Sequence, residues 1–92
     1  MLSRQDCSKL EYPEAAVRAH AQGVSVVAFH VDANGAVTSA EVVQSAGRSR
    51  EHRLLDQATV RGLSACKFEP AKDADGHPVA DVVNVPYRWL LE

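Results

Sequence analysis

The fold of this chain is decided by residues 23–45, GVSVVAFHVDANGAVTSAEVVQS, in which side chains alternate between two faces. Successive side chains of a strand point to opposite faces, so one face of the first predicted strand, Gly23–Asp32, carries Ser25, Val27, Phe29 and Val31. Asn34-Gly35 predicts a turn, because both residue types accept a positive φ at little cost. A second strand follows at Val37–Ser45, and the whole stretch therefore predicts a β-hairpin.

A short helix is predicted before the hairpin, at Tyr12–Gln22. Pro13 suits the first helical position, Glu14 favours the positive end of the helix dipole, and Gly23 ends the helix. The apolar stripe of this helix is narrow and consists of Ala16, Val17 and His20. We therefore expect the helix to lean on other elements for its stability.

A second helix is predicted after the hairpin, at Arg50–Ala65. Its apolar residues recur at helical spacing and are Leu54, Leu55, Ala58, Leu63 and Val60. Ser49 is the expected N-cap, whereas Thr59 and Gly62 weaken the helical propensity. Residues before a proline avoid the helical region, so Pro70 ends this part of the chain, and the polar residues 71–78 are expected to form a loop.

The last predicted strand, Val79–Leu90, alternates again. One face carries Val83, Val85, Tyr87 and Trp89, and the other carries Val82, Asn84, Pro86 and Arg88. Proline cannot donate a hydrogen bond to a neighbouring strand, so it is confined to edge strands or bulges. Pro86 therefore predicts that this strand lies at an edge of the sheet.

These elements predict an α+β fold with the order α-β-β-α-β. The sheet has three antiparallel strands, and two helices pack on one of its faces. The last strand is free to pair with either the first or the second. We divide the chain into a lead-in segment at residues 1–11, one domain at residues 12–90, and a tail at residues 91–92 that is native or a cloning remnant.

The composition excludes several classes of protein. A chain of 92 residues with 46% hydrophobic and 24% charged residues is typical of one folded domain. A formal net charge of −2 provides no basic surface for nucleic acid. No apolar run approaches the roughly 20 residues that span a bilayer. The polar segment Met1–Lys9 lacks the apolar centre of a signal peptide, so an exported form requires a targeting segment outside it.

The sequence does not predict an enzyme. The four histidines, at positions 20, 30, 52 and 77, lack the spacing of metal ligands. No serine lies in a nucleophile motif, and no glycine-rich phosphate loop occurs. The run Asp73-Ala74-Asp75-Gly76 resembles part of a calcium loop without its final acidic ligand, so an ordinary turn is the better interpretation. We expect no catalytic residue, no metal and no cofactor.

The two cysteines, Cys7 and Cys66, permit two interpretations. They form one disulfide, which would close a loop of about 60 residues and contribute roughly 4 kcal/mol in the loop-entropy model. Alternatively they are two unpaired thiols of a cytosolic protein. Their spacing alone does not decide between these alternatives.

Several of these features together resemble the C-terminal domain of TonB-family energy transducers. They are Tyr12-Pro13 before an alanine-rich helix, the strand from Gly23 to Asp32, Asn34-Gly35, Val42-Val43-Gln44-Ser45-Ala46-Gly47, Leu55-Asp56 and Lys67-Phe68-Glu69-Pro70-Ala71. The resemblance covers residues 12–90. Ser25 departs from the valine that the pattern prefers, which we expect to loosen the strand slightly.

The resemblance implies a periplasmic domain that is anchored to the inner membrane if an upstream helix exists. Such domains bind the TonB-box segment of outer-membrane receptors by adding it as a strand to their sheet, and they transmit energy from the inner-membrane proton gradient. Proton-channel proteins of the inner membrane are implied as partners through upstream segments. A cysteine-bearing variant of the family is similar in its cysteine positions, and this implies the Cys7–Cys66 disulfide.

Candidate contacts for the partner segment follow from the same resemblance. They are Lys9, Leu10 and Glu11 in the lead-in segment, Tyr12 directly after it, and Val82, Asn84 and Arg88 in the last strand. Packing at a helix start is an equally good interpretation of Tyr12, and a charge that guards the edge against aggregation is one of Arg88. A partner strand must lose one hydrogen bond at Pro86.

A second functional class shares this fold. A free-standing periplasmic adaptor, similar to TolA-type domains, would bind envelope proteins without transmitting energy. The expected state is a monomer, although an exposed edge makes a strand-exchanged dimer possible. No nucleic acid partner is expected.

Overall fold

The computed structural model describes residues 10–91 of this α+β chain. Its elements are α1 (Glu14–Arg18), β1 (Gly23–Val31), β2 (Val37–Gln44), α2 (Arg50–Ser64), β3 (Ala71–Lys72), β4 (Pro78–Val79) and β5 (Asp81–Trp89). Both principal helices and all three long strands that the sequence predicts are present, with ends that differ by one or two residues except at α1. None of the helices in residues 10–91 is long and apolar enough to cross a membrane.

The three long strands form one antiparallel sheet in the order β2-β1-β5. The strand β1 is therefore central, and β5 lies at an edge, as Pro86 predicted. The pairing of β1 with β5 runs without a register shift from Gly23 opposite Trp89 to Val31 opposite Asp81. By contrast, the pairing of β1 with β2 contains register shifts near both of its ends.

The helix α1 is much shorter than predicted. It covers Glu14–Arg18 instead of Tyr12–Gln22, and Pro13 is its N-cap and not its first helical residue. The backbone of His20 has a φ of 56°, the left-handed region that ends helices, so the helix stops before Gly23 is reached. His20 is exposed and does not belong to an apolar stripe, and within that stripe only Ala16 is fully buried.

The segment predicted as a polar loop contains a second, very small sheet. The strands β3 and β4 pair antiparallel, with Ala71 opposite Val79 and Lys72 opposite Pro78. Asp73 Oδ1 accepts the backbone N–H groups of Asp75 and His77 at 3.0 and 2.9 Å, and this holds the turn between the two strands. A two-residue strand is too short to leave a periodic pattern, which is why alternation did not predict it.

The core lies between the sheet and α2 and has two parts. One part consists of Ala16, Ala21, Leu55 and Trp89. The other consists of Val27, Phe29, Val31 and Leu63, so the face of β1 that carries Val27, Phe29 and Val31 is its core face. The indole N–H of Trp89 donates to Thr59 Oγ1 at 2.9 Å, and this gives the buried indole its hydrogen-bond partner. The Thr59 that weakens α2 as a helix former therefore serves the core.

Gly62 also has a packing role. A Cβ atom at this position would lie 2.5 Å from Leu10 Cδ2, so the glycine leaves room for Leu10 against α2. Gly23 makes a similarly close approach, because a Cβ there would lie 2.1 Å from the carbonyl oxygen of Ala46. These two glycines bring the lead-in segment and the β2–α2 loop into contact with the domain.

A buried carboxylate connects α2 to the sheet. Asp56 is only 5% exposed, and its Oδ1 accepts the hydroxyl of Ser25 at 2.7 Å and the backbone N–H of Ala46 at 2.9 Å. Its Oδ2 accepts the hydroxyl of Ser45 at 2.5 Å. The expectation that Ser25 loosens β1 is therefore wrong, because its hydroxyl is the donor by which the central strand binds α2.

Replacing Asp56 by alanine is expected to destabilise the domain by about 2–4 kcal/mol, because it leaves the fully buried Ser25 hydroxyl without an acceptor and removes three charge-assisted hydrogen bonds. Urea unfolding followed by the fluorescence of Trp89, the single tryptophan, measures the change. Gln57→Ala, at the exposed neighbouring position, is the control and is expected to stay within about 0.5 kcal/mol of the parent. An equal effect of the two substitutions would contradict the role of the network.

Tyr12 makes the stability of the domain sensitive to high pH. Burial raises the pKa of its phenol above the ordinary value, because the buried site disfavours the phenolate. The phenol hydroxyl also donates to the carbonyl oxygen of Ala21. A group with a raised pKa contributes stability below its ordinary pKa, and this contribution is lost as the pH rises through the raised value.

The free energy of unfolding is therefore expected to fall above about pH 10, the ordinary pKa of tyrosine. Tyr12→Phe removes the titrating group, so this variant should lose less stability than the parent between pH 8 and pH 11. Urea unfolding at both pH values measures the difference, and the comparison within each protein removes the pH-independent cost of the lost hydroxyl. Equal losses in both proteins would show that another group causes the decline.

Candidate partner-binding edge

The predicted contacts Val82, Asn84 and Arg88 lie together on β5. All three side chains are exposed and alternate with the core-facing residues Val83, Val85, Tyr87 and Trp89. They therefore share the face of the sheet opposite the core, which we call the open face. Val82 is an exposed apolar side chain at 50% of its full area, and Arg88 is an exposed cation near the other end of the strand.

The backbone groups of the same residues point away from β1. Pro86 has no N–H, and it pairs with Val26 inside an unshifted register, so its nitrogen faces outward. Outward and inward backbone groups alternate along an antiparallel strand, and this places the N–H and C=O groups of Val82, Asn84 and Arg88 on the outward side as well.

Two hydrogen bonds agree with this assignment. The Val82 N–H donates to Asp81 Oδ1 at 2.8 Å, so it is not used in pairing with β1. The Asp32 N–H donates to the carbonyl oxygen of Ala36 at 2.9 Å, on the side of β2. The backbone N–H and C=O groups of the even-numbered residues of β1 therefore point toward β2. The odd-numbered positions therefore pair with the odd-numbered residues of β5.

The two edges of the sheet differ in regularity. The pairing of β5 with β1 has no register shift over its nine residues. The pairing of β2 with β1 has two register shifts, one between Val26 and Val27 of β1 and one between His30 and Val31 of β1. Bulges twist an edge and interrupt its row of hydrogen-bonding groups. An added strand therefore finds its longest regular template on β5.

The lead-in residues lie on the other side of β5. The Leu10 N–H donates to the Tyr87 hydroxyl at 2.8 Å, and the rings of Tyr12 and Trp89 meet edge to face with centroids 5.0 Å apart. Leu10 and Tyr12 pack against the core, whereas Glu11 is exposed. Lys9 lies outside the described residues. The two groups of predicted contacts thus flank β5 on opposite faces and do not form one continuous surface.

An open groove follows the lead-in segment. Its volume is about 450 Å³, and it is lined by Leu10, Glu11, Tyr12, Pro13, Glu14, Ala58, Arg61 and Gly62. Two exposed carboxylates line the groove, Glu11 of the lead-in segment and Glu14 of α1, and Arg61 of α2 lines it as well. It does not reach the outward backbone groups of β5, none of which lines it.

Of the two cysteines in the predicted disulfide, only Cys66 lies among the described residues. Cys66 packs at the edge of the second core cluster and is not a free thiol. Cys7 lies outside the described residues, so the Cys7–Cys66 pairing stays a prediction.

Two polar clusters do not form a site of their own. In the described part of the chain, Arg48, Arg50, Arg53 and Arg61 form no ion pair, whereas Arg18 lies 3.7 Å from Glu14. Asp73, Asp75 and His77 bring their ligand atoms within 4.8 Å of one another, but all three are exposed. Asp73 Oδ1, which accepts the backbone N–H groups of Asp75 and His77, holds these three residues together in the β3–β4 turn. The turn therefore explains why their side chains are close.

Sequence reasoning missed one residue of the edge. Asp81 opens β5 and accepts the outward N–H of Val82, yet it was not among the predicted contacts. Its signal was an aspartate immediately before the apolar run Val82-Val83, because aspartate side chains frequently accept nearby backbone N–H groups.

Comparison with known proteins identifies relatives over the whole described domain. A family model described as "Gram-negative bacterial TonB protein C-terminal" matches residues 8–91. "Protein TonB" of Xanthomonas campestris pv. campestris (strain B100) is 36% identical over 90 residues, which cover 98% of this chain and 38% of that protein. "Protein tonB2" of Pseudomonas aeruginosa is 37% identical over 65 residues, or 71% of this chain and 23% of that protein.

The chain thus spans less than two fifths of the length of these curated relatives. The matched residues 8–91 include α1, the complete three-stranded sheet and α2. The family match extends over more than nine tenths of the chain, and the observed α+β architecture agrees with it. The chain belongs to the family of Gram-negative bacterial TonB protein C-terminal domains.

Proposed function

We propose that this domain binds the TonB-box segment of outer-membrane receptors by adding it as a fourth strand beside β5, and that it acts in the periplasm. The single observation that carries the proposal is the regular β5 edge, whose outward backbone groups are unused by β1 over the length of the strand. Strand addition needs such a row, because main-chain hydrogen bonds provide the affinity and alternate side chains provide the selectivity.

The open face supplies that selectivity. A partner strand beside β5 places alternate side chains next to Asn84 and Arg88, which present an amide and a cationic group, and its end approaches the apolar side chain of Val82. The opposite side chains of the partner point toward Tyr87 and the lead-in segment, where Leu10 is held. Leu10, Glu11 and Tyr12 then border the partner from the core side.

Energy transmission is the second part of the proposal. The relatives that match are named TonB, and the matched segment is the C-terminal domain of that family. In this proposal, segments outside the present chain connect the domain to proton-channel proteins of the inner membrane. The domain itself performs no covalent chemistry, and its task is to hold the receptor segment while force is applied. The Cys7–Cys66 disulfide would strengthen the domain against that force by restraining the lead-in segment.

Asn84→Pro tests the edge. The substitution removes an outward donor without touching the ladder to β1, because position 84 has the same orientation as Pro86. We expect the affinity for a synthetic TonB-box peptide to fall about 5- to 10-fold, the value of one backbone hydrogen bond. Isothermal titration measures the affinity, and an amide NMR spectrum of each protein verifies the fold.

The matched control is Ala40→Pro on β2, whose N–H points away from β1 at the opposite edge. This variant should bind the peptide like the parent. Peptide binding that weakens in Ala40→Pro but not in Asn84→Pro would move the site to β2. A series of TonB-box peptides that leaves every β5 amide of the parent unchanged would contradict the binding proposal and would favour an adaptor without receptor coupling.

A further inference from the structure

We propose that Asp81 determines where a partner strand stops on β5. Its carboxylate takes the outward N–H of Val82 and thereby removes the first donor of the edge. This inference rests on the proposed function, since it concerns the same edge. It assigns a specificity-determining role to a residue that neither the sequence pattern nor the family match singled out.

The geometry of Asp81 carries the inference. Its Oδ1 lies 2.8 Å from the Val82 nitrogen, within the ordinary range of a hydrogen bond. Asp81 itself pairs with Val31 at the last position of the β1–β5 register, so its own backbone groups face β1. The side chain is exposed, and its Oδ1 accepts the Val82 N–H, which points away from β1. The first outward donor of β5 is therefore already bonded in the unliganded domain.

Pro86 removes a second donor from the same row. Of the outward positions Val82, Asn84, Pro86 and Arg88, only Asn84 and Arg88 then have an N–H that residues 10–91 leave without an acceptor. Residues in a strand rise by about 3.3 Å each, so these two donors lie about 13 Å apart. All four positions still offer a carbonyl oxygen, so the edge accepts more hydrogen bonds than it donates.

This donor pattern defines the partner that the edge suits. The carbonyl oxygens of a short extended segment can accept hydrogen bonds from the N–H groups of Asn84 and Arg88. Its carbonyl oxygen opposite Pro86 stays in contact with water. A longer segment that continues to position 82 meets a donor that is already bonded, so its carbonyl oxygen there gains no hydrogen bond. Asp81 thus limits the site to a short segment.

Asp81→Ala tests the inference with a synthetic TonB-box peptide as the probe. Amide hydrogen exchange is measured with and without peptide. In the parent we expect the peptide to slow exchange at Asn84 and Arg88 at least tenfold and at Val82 less than twofold. In Asp81→Ala the Val82 amide should also be slowed at least tenfold, and the peptide should bind about 2- to 10-fold more tightly.

Two further variants separate the hydrogen bond from the charge. Asp81→Asn keeps an acceptor oxygen and should behave like the parent, although it lacks the charge. Asp75→Ala removes an exposed aspartate from the nearby turn and should also behave like the parent. Equal gains in affinity for Asp81→Ala and Asp81→Asn would overturn the assignment to the hydrogen bond.

The outcomes distinguish this inference from the proposed function. If the peptide protects Asn84 and Arg88 but protects Val82 equally in the parent and in Asp81→Ala, the binding proposal stands and the role of Asp81 is overturned. If the peptide protects no β5 amide in either protein, strand addition at this edge is overturned, and the inference with it.

Discussion

The central position of β1 is the constraint on which the rest of this structure depends. Its odd-numbered residues pair with β5 and place Val27 and Phe29 in the core, while its even-numbered residues pair with β2. Along a strand, the side toward which the N–H and C=O groups point and the face that carries the side chain both change at every residue. The β5 residues whose backbone groups point away from β1 are therefore also the residues whose side chains lie on the open face. The outward edge of β5 and the core are therefore two consequences of one pairing register.

Polar interactions fix the helices to that sheet. Asp56 ties α2 to β1 through Ser25 and to the β2–α2 loop through Ser45 and the N–H of Ala46. A buried carboxylate whose hydrogen bonds are all made specifies one arrangement of its partners, because each alternative leaves a donor or a charge unsatisfied. At the end of the core near β5, Leu10 contacts Tyr87 and Tyr12 contacts Trp89.

Much of the fold could be predicted because it depends on local patterns. The alternation in β1, β2 and β5, the helical spacing of Leu55 and Leu63, and the N-cap at Ser49 all appear within a few residues of one another, and the structure has each of them. The extent of α1 was wrong because His20 adopts a left-handed backbone conformation that ends the helix, and the residue type at position 20 gave no indication of it. Ser25 was misjudged because its acceptor, Asp56, is 31 positions away in the sequence.

The sequence by itself determined the α+β class, the core faces of β1 and β5 and the edge position of β5, because the periodicity of side chains and the missing N–H of Pro86 are properties of the chain alone. Only the tertiary structure decided that β5 pairs with β1 and not with β2, that Leu10 and Tyr12 lie opposite the open face, and that Asp81 bonds the first outward N–H. These features depend on which distant segments meet, and the free energy of such contacts is not expressed in any short stretch of sequence.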